Sequence, residues 1–337
     1  MDRIRTGLMS FGMSGQIFHA PFIDHNRRFE LAVILERSKT RSRAAYPGAK
    51  IVTSVPEFLK QDLDLIIVNG PSGLHYEWTK AALQVCRAVV VEKPFVASEE
   101  EGEDLIRLAK EKGSILSVYH NKRYEGNIKT LAELLGRNSL GSIQKLVIRA
   151  MRYRPTLGSK QWKEDPLPGA GLLYDIGSHL IDQSLWLFGD PQDFSVQIEK
   201  QREGTKVDDY FKIVFKYVGF EVVMEAGFLQ KEELPALEMH TTLGVYRKFG
   251  ADPQEQQLKE DPIDWENLGK SASSQDGYWK SAEGREIKIQ TARGTYGEFY
   301  EDLSQYIAGK GKNPVSPEEA LKVITWIVKI KQKAGVV

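Results

Sequence analysis

The chain has 337 residues, 41% of them hydrophobic and 27% charged, which describes an ordinary globular protein long enough for two domains. Its 46 basic and 46 acidic side chains cancel to a net charge of zero, which argues against a broad electrostatic footprint for nucleic acid or an acidic membrane. One cysteine excludes an internal disulfide and a cysteine-based zinc cluster.

Residues 4–9 read as a short apolar strand, and the loop SFGMSG (10–15) leads to a helix predicted over 16–25. The next strand is 31–35. The segments LIIV (65–68) and AVVV (88–91) are dense and β-branched, as strands buried on both faces are. A helix is predicted between them over 76–85. Cys86 follows in the run LQVCRAVVV, where a buried small hydrophobe or a reactive thiol would each fit. Ser98 and the acidic turn Glu99-Glu100-Glu101 open a charged amphipathic helix to about residue 112, and 115–119 is one more strand. Strand and helix in alternation predict a doubly wound parallel sheet with right-handed crossovers, a nucleotide-binding domain over residues 1–123.

The pattern then changes. A helix over 127–135 and a strand over 143–152 lead into an irregular Pro/Gly stretch to Gly171, and 172–188 reads as helix. Strands at 194–201, 210–217, 221–228 and 237–242 follow without intervening helices, which predicts an antiparallel or mixed sheet. Residues 251–285 are polar and read as loops and short helices. Helices over 296–307 and 317–333 close the chain, the second behind the start signal Ser316-Pro317-Glu318-Glu319. Residues 124–337 are expected to form a second, α+β domain.

Four stretches carry candidate chemistry. SFGMSG has the spacing of the dinucleotide fingerprint G-x-G-x-x-G, with Ser10 in the first place. Gly12 would let a pyrophosphate approach the backbone, Gly15 would let helix and strand pack closely, and the helix start would hold the phosphates. An ordinary βα turn of small residues has the same look. At the end of the second strand, Glu36 stands 21 positions after Gly15, where an acid takes the ribose hydroxyls of NAD; Arg37, Ser38 and Lys39 argue instead for the 2′-phosphate of NADP. Glu92-Lys93-Pro94 follows a buried strand directly, so Lys93 is expected in the crevice, donating to a substrate oxygen. In GAGLLYDIGSHLIDQ, Asp175 and His179 are four apart on one helix face, with Asp182 three further on. His179 can exchange a proton near neutral pH while a carboxylate orients it. A helix-surface ion pair or a metal site would share that spacing, but no third ligand is suggested.

In chain order, GLMSFGMSGQIFHAPFI, NGPSGLHYEWTKAAL, VVVEKPF, SVYHNKRYEGN, RYRP and GAGLLYDIGSHLIDQSLWLFGDP resemble the successive motifs of the Gfo/Idh/MocA oxidoreductase family. VDDYFKIVF and YRKFGADPQEQQL are similar to a branch that contains bacterial NADP-dependent scyllo-inositol dehydrogenases. The resemblance implies an N-terminal Rossmann domain for a nicotinamide cofactor, NADP or NAD, with NADP favoured by the branch. It implies a C-terminal domain on a large open mixed, mostly antiparallel sheet, used for substrate binding and subunit contacts in a homo-oligomer, dimer or tetramer, with the last helix packing back on the first domain. Lys93, Asp175 and His179 match the family's catalytic trio. Gly12, Ser14, Gly15 and Gln16 match its phosphate loop, Asn69, Pro71, Ser72 and His75 its fourth-strand turn, Glu92 the residue before the lysine, and Asn121 and Arg123 its sixth-strand motif. Tyr153 and Trp162 would wall the substrate pocket. Ser10, Gly70 and Cys86 depart from the family pattern, Gly70 standing for a common threonine and Val85-Cys86 for Ala-Gly. The implied reaction is dehydrogenation of a cyclitol or sugar alcohol, with another sugar, dihydrodiol or biliverdin-type reductase, or a non-catalytic nucleotide-sensing regulator, as alternatives. No metal, nucleic-acid or membrane partner is expected: there is no signal-peptide core and no run near the roughly 20 apolar residues of a membrane span, which predicts a cytoplasmic protein.

Overall fold

The structure, a computed structural model, describes residues 3–38, 41–137, 140–158 and 164–336. The chain divides into two compact units, one of Met1–Asn121 with Tyr296–Ile324, the other of Lys122–Thr295 with Thr325–Val337.

In the first unit, β1 (Ile4–Leu8), β2 (Phe29–Leu35), β3 (Lys50–Val52), β4 (Leu65–Val68), β5 (Ala88–Glu92) and β6 (Ile115–Tyr119) form one parallel sheet in the order β3-β2-β1-β4-β5-β6. Every residue of β4 and β5 is buried, which is why both read as unbroken apolar runs. The strand order reverses between β1 and β4, and that switch point opens a crevice beyond their carboxyl ends. The connections are α1 (Ala20–His25), α2 (Arg41–Ala45), α3 (Val55–Phe58), α4 (His75–Val85) and α5 (Glu99–Lys112). Ser98 caps α5 by accepting from the Glu101 amide, and Gly113 ends it in a left-handed turn. The elements α2, β3 and α3 have no counterpart in the sequence reading. They are three to five residues long, too short to show a period.

The second unit starts with α6 (Gly126–Leu135) and β7 (Ile143–Met151), followed by α7 (Ser178–Phe188). Its sheet adds β8 (Asp193–Glu199), β9 (Tyr210–Tyr217), β10 (Phe220–Gly227), β11 (Leu237–Thr241), β12 (Gly244–Lys248), β13 (Gly277–Ser281) and β14 (Glu286–Ile289), with α8 (Gln254–Gln257) between β12 and β13. The order is β14-β13-β12-β11-β7-β10-β9-β8, antiparallel throughout except for the parallel pair β7 and β10. Along β9, buried Phe211, Ile213 and Phe215 alternate with exposed Lys212 and Lys216, the period of a half-covered strand. β13 falls in the segment read as loops. Only Gly277 and Trp279 of its five residues are buried, so it presents no run that marks a strand.

Two helices close the chain. α9 (Tyr296–Ile307) belongs to the first unit, where Phe299 and Tyr300 pack edge-on against Tyr119 and Phe29. The boundary between the units lies within α10 (Pro317–Lys333), so neither unit is one continuous stretch.

Candidate active site

The loop after β1 is tied down from several sides. Ser10 Oγ accepts from the Gly12 amide at 3.2 Å, a side-chain turn that holds the backbone where a fingerprint has its first glycine. Asn69, at the end of β4, donates its side-chain amide to Ser10 O at 2.8 Å, and its own carbonyl accepts from Ser14 Oγ at 3.4 Å. Gln16 donates its amide to Phe11 O. A Cβ on Gly15 would lie 2.4 Å from Ser10 O and 2.9 Å from Asn69 Nδ2, so only glycine fits there. Gly12 and Met13 are exposed at the tip. The turn from Gly15 to His19 is a wide, π-type turn that runs into α1.

At the end of β2, Glu36 is placed differently from the expectation of an acid facing the ribose. It turns inward, and Oε2 accepts from both the amide (3.1 Å) and the hydroxyl (2.5 Å) of Ser42 in α2. Arg37 and Ser38 stay exposed. Lys39 lies outside the described residues.

Beyond β5, Lys93 is partly exposed and precedes a cis Lys93–Pro94 peptide. Glu92, counted with the cofactor residues on the sequence, is buried: it accepts from the Lys93 amide at 3.1 Å and meets His19 Nε2 at 2.9 Å, while His19 Nδ1 meets Tyr300 Oη. Burial raises the Glu92 pKa, but the His19 hydrogen bond and the charges of His19 and Lys93 outweigh it and hold the carboxyl below its ordinary value. His19 and Tyr300 were not among the sequence candidates; their partners are too distant in the chain to show. His75, another cofactor candidate on the sequence, is also buried. It is 1% exposed and lies between two carbonyls, Nδ1 at 2.7 Å from Pro94 O and Nε2 at 3.1 Å from Gly70 O, so the single N–H of a neutral ring donates to the nearer one, Pro94 O. Burial lowers its pKa despite the two carbonyls. Pro71 and Ser72 stay at the surface of that turn, and Asn121 is buried just after β6.

Two departures find a local cause. A Cβ on Gly70 would sit 2.6 Å from the Trp78 ring, so the indole takes the space a threonine would need. Cys86 caps α4 in an extended conformation and needs no glycine. Its Sγ lies 3.3 Å from Leu63 O and from Ala88 O, and burial pushes the thiol up to about 11, which leaves a structural rather than a reactive side chain.

In the second unit, a wide turn over Leu173–Gly177 carries Asp175 and runs into α7, which carries buried His179. Asp208 holds this start. Its carbonyl accepts from Leu172 N, its carboxylate accepts from Leu173 N, and a Cβ on Gly171 (φ +96°) would lie 2.1 Å from that carboxylate. Arg123 grips Asp182 with two bonds of 2.9 and 2.7 Å, both side chains buried. The guanidinium expected to face the cofactor therefore braces α7. A cavity of about 430 Å³ within this unit is lined by His179 and Tyr153, with Asn127, Gln183, Arg149 and Arg152. Asn127 donates to Gly250 O and Gln183 to Lys122 O, which fixes both amides. Each then keeps one buried side-chain oxygen that accepts no hydrogen bond. Trp162 lies outside the described residues. Among the described residues no cluster could hold a metal ion, and no helix is long and apolar enough to cross a membrane.

Residues 4–120 match the model of an oxidoreductase family with an NAD-binding Rossmann fold, and 128–247 match the GFO/IDH/MocA C-terminal domain. The chain belongs to the Gfo/Idh/MocA oxidoreductase family. It is 33% identical over 330 residues, 96% of this chain and 92% of the relative, to the scyllo-inositol 2-dehydrogenase (NADP(+)) IolW of Bacillus subtilis. The solved structure of the Bacillus subtilis protein yvaA superposes with a TM-score of 0.94 at 32% identity, covering 99% and 97% of the two chains. A solved Bacteroides fragilis structure gives 0.89 at 38%, covering 99% and 98%. As a Gfo/Idh/MocA member the chain is an enzyme of the oxidoreductase class with a nicotinamide-binding domain. The Gly15 cradle at the β1–β4 switch point fits that cofactor, with Gly12 exposed at the tip of the loop where a pyrophosphate would approach the backbone.

Proposed function

We propose that this oxidoreductase is an NADP-dependent dehydrogenase that converts a secondary alcohol of a cyclitol or sugar, scyllo-inositol or a close analogue, to the ketone, or the reverse. The observation that carries the reading is its 33% identity, across nearly the whole chain, to a scyllo-inositol 2-dehydrogenase (NADP(+)). Two features support it. The unpaired oxygens of Asn127 and Gln183 at the cavity wall suit a ligand rich in hydroxyl donors. The inward turn of Glu36 leaves exposed Arg37 at the end of β2, which suits a 2′-phosphate.

In this reading the first unit is the cofactor domain and the second the substrate domain. His179 accepts the hydroxyl proton, and Asp175 orients its ring. Lys93 donates a hydrogen bond to the same oxygen and stabilises its alkoxide character. The buried Glu92, through the Lys93 amide, and His75, through Pro94 O, hold the lysine's backbone in place. A bound nicotinamide supplies hydride acceptance. The test is steady-state oxidation of scyllo- and myo-inositol with NADP and with NAD. Turnover with NADP is expected, and Lys93→Ala and His179→Ala each lower kcat by about 10²–10⁴-fold with dinucleotide binding retained. Wild-type-like turnover in both variants overturns the assignment. Tight NADP binding without turnover on any polyol turns the reading toward a nucleotide sensor.

A further inference from the structure

The acid at the end of a second Rossmann strand normally decides which dinucleotide is taken: facing outward it accepts from the ribose hydroxyls and repels a 2′-phosphate. Glu36 occupies that place but is 8% exposed, and Ser42, which is 0% exposed, supplies both of its hydrogen bonds through one oxygen, Oε2. The other oxygen, Oε1, is buried with no hydrogen-bond partner. A buried carboxylate with one oxygen unsatisfied is costly, and it stays inside only where strong donors retain it. Around it, Arg37, Arg41 and Arg43 are exposed, and none makes an ion pair among the described residues.

We infer that Ser42 is a specificity-determining residue for the cofactor: its hydroxyl and amide clasp Glu36 inward, and the strand end is thereby left cationic for the 2′-phosphate of NADP. Ser42 acts through Glu36 and touches no cofactor atom itself, so it is a positioning residue. Loss of the hydroxyl removes the shorter of the two bonds. Solvent and the ribose hydroxyls then compete for a carboxylate already half unsatisfied, and an outward Glu36 favours NAD and disfavours NADP. The inference rests on the NADP reading above and adds the device that produces it.

Isothermal titration of the full chain with NADP and with NAD measures both affinities without turnover. The wild type is expected to prefer NADP. Ser42→Ala is expected to lower that preference by about tenfold or more, the effect of one like charge brought within a few ångströms of a half-screened phosphate. Adding Glu36→Gln to Ser42→Ala is expected to bring NADP affinity back to within about threefold of wild type, because the carboxylate charge is then gone. Ser42→Ala with an unchanged NADP-to-NAD ratio overturns the inference and leaves the NADP reading standing. A wild type that prefers NAD, or binds neither, overturns both. Should Ser42→Ala show no cooperative melt, Glu36→Gln alone decides: NADP affinity near wild type supports an inward carboxylate, and a gain of about tenfold shows one already facing the phosphate and overturns the clasp.

Discussion

The Ser10 hydroxyl accepts from the Gly12 amide, so this position contributes a bond that a glycine could not. Ser10→Ala removes it, and dinucleotide Kd is expected to rise about three- to tenfold, the worth of one ordinary hydrogen bond. Ser10→Thr keeps the hydroxyl and is expected to stay near wild type. Equal affinities in all three proteins, read by nicotinamide fluorescence, would show that the hydroxyl adds nothing. Other single residues were not legible beforehand. His19 meets partners 73 and 281 positions away, and Asp208 holds a turn 35 positions before it. Glu36 and Arg123 were visible as charges at meaningful places, but a charge does not announce its partner. Only the fold shows that each is engaged inside the protein.

Among the elements, those with a dense apolar run or a cap signal follow the sequence closely and the others do not. The buried β4 and the capped α5 lie where apolar runs and the Ser98 signal put them. β3 and β13 depend on a neighbour's edge and carry too few apolar residues to be seen alone. The turn between β4 and α4 shows how an element absorbs a departure. Gly70 lies under the Trp78 ring, so Gly70→Thr is expected to destabilise the protein by about 1–3 kcal/mol through overpacking, and Trp78→Ala in the same chain is expected to recover part of that loss. Chemical denaturation of the two single variants and the double variant gives the coupling. Additive effects would mean that the ring is not what excludes the side chain.

For the whole molecule, two buried groups contribute to the acid side of stability. Burial keeps the His75 pKa below its ordinary 6.5. The unfolded chain takes up that proton first as pH falls, so stability drops below about 6.5, by at most about 1.4 kcal/mol per pH unit. Glu92, held below the ordinary 4.5 although burial alone would raise it, adds stability that is present above 4.5 and lost as pH falls through its lower folded value. Melting temperatures at pH 7, 6 and 5 are expected to fall for the wild type and to fall less for His75→Asn, which cannot titrate. Equal slopes would remove His75 from the account. The amino-acid sequence by itself determined the fold class, the order of the motifs and the candidate trio Lys93, Asp175 and His179, because apolar periodicity, glycine placement and motif spacing are local. What the tertiary structure decided is which partners the buried polar groups meet: Glu36, His75, Glu92 and Arg123, all cofactor candidates on the sequence, each meet a partner the fold supplies. A buried charge is tolerable only when paired, and pairing across dozens of residues is a property of packing that no local pattern records.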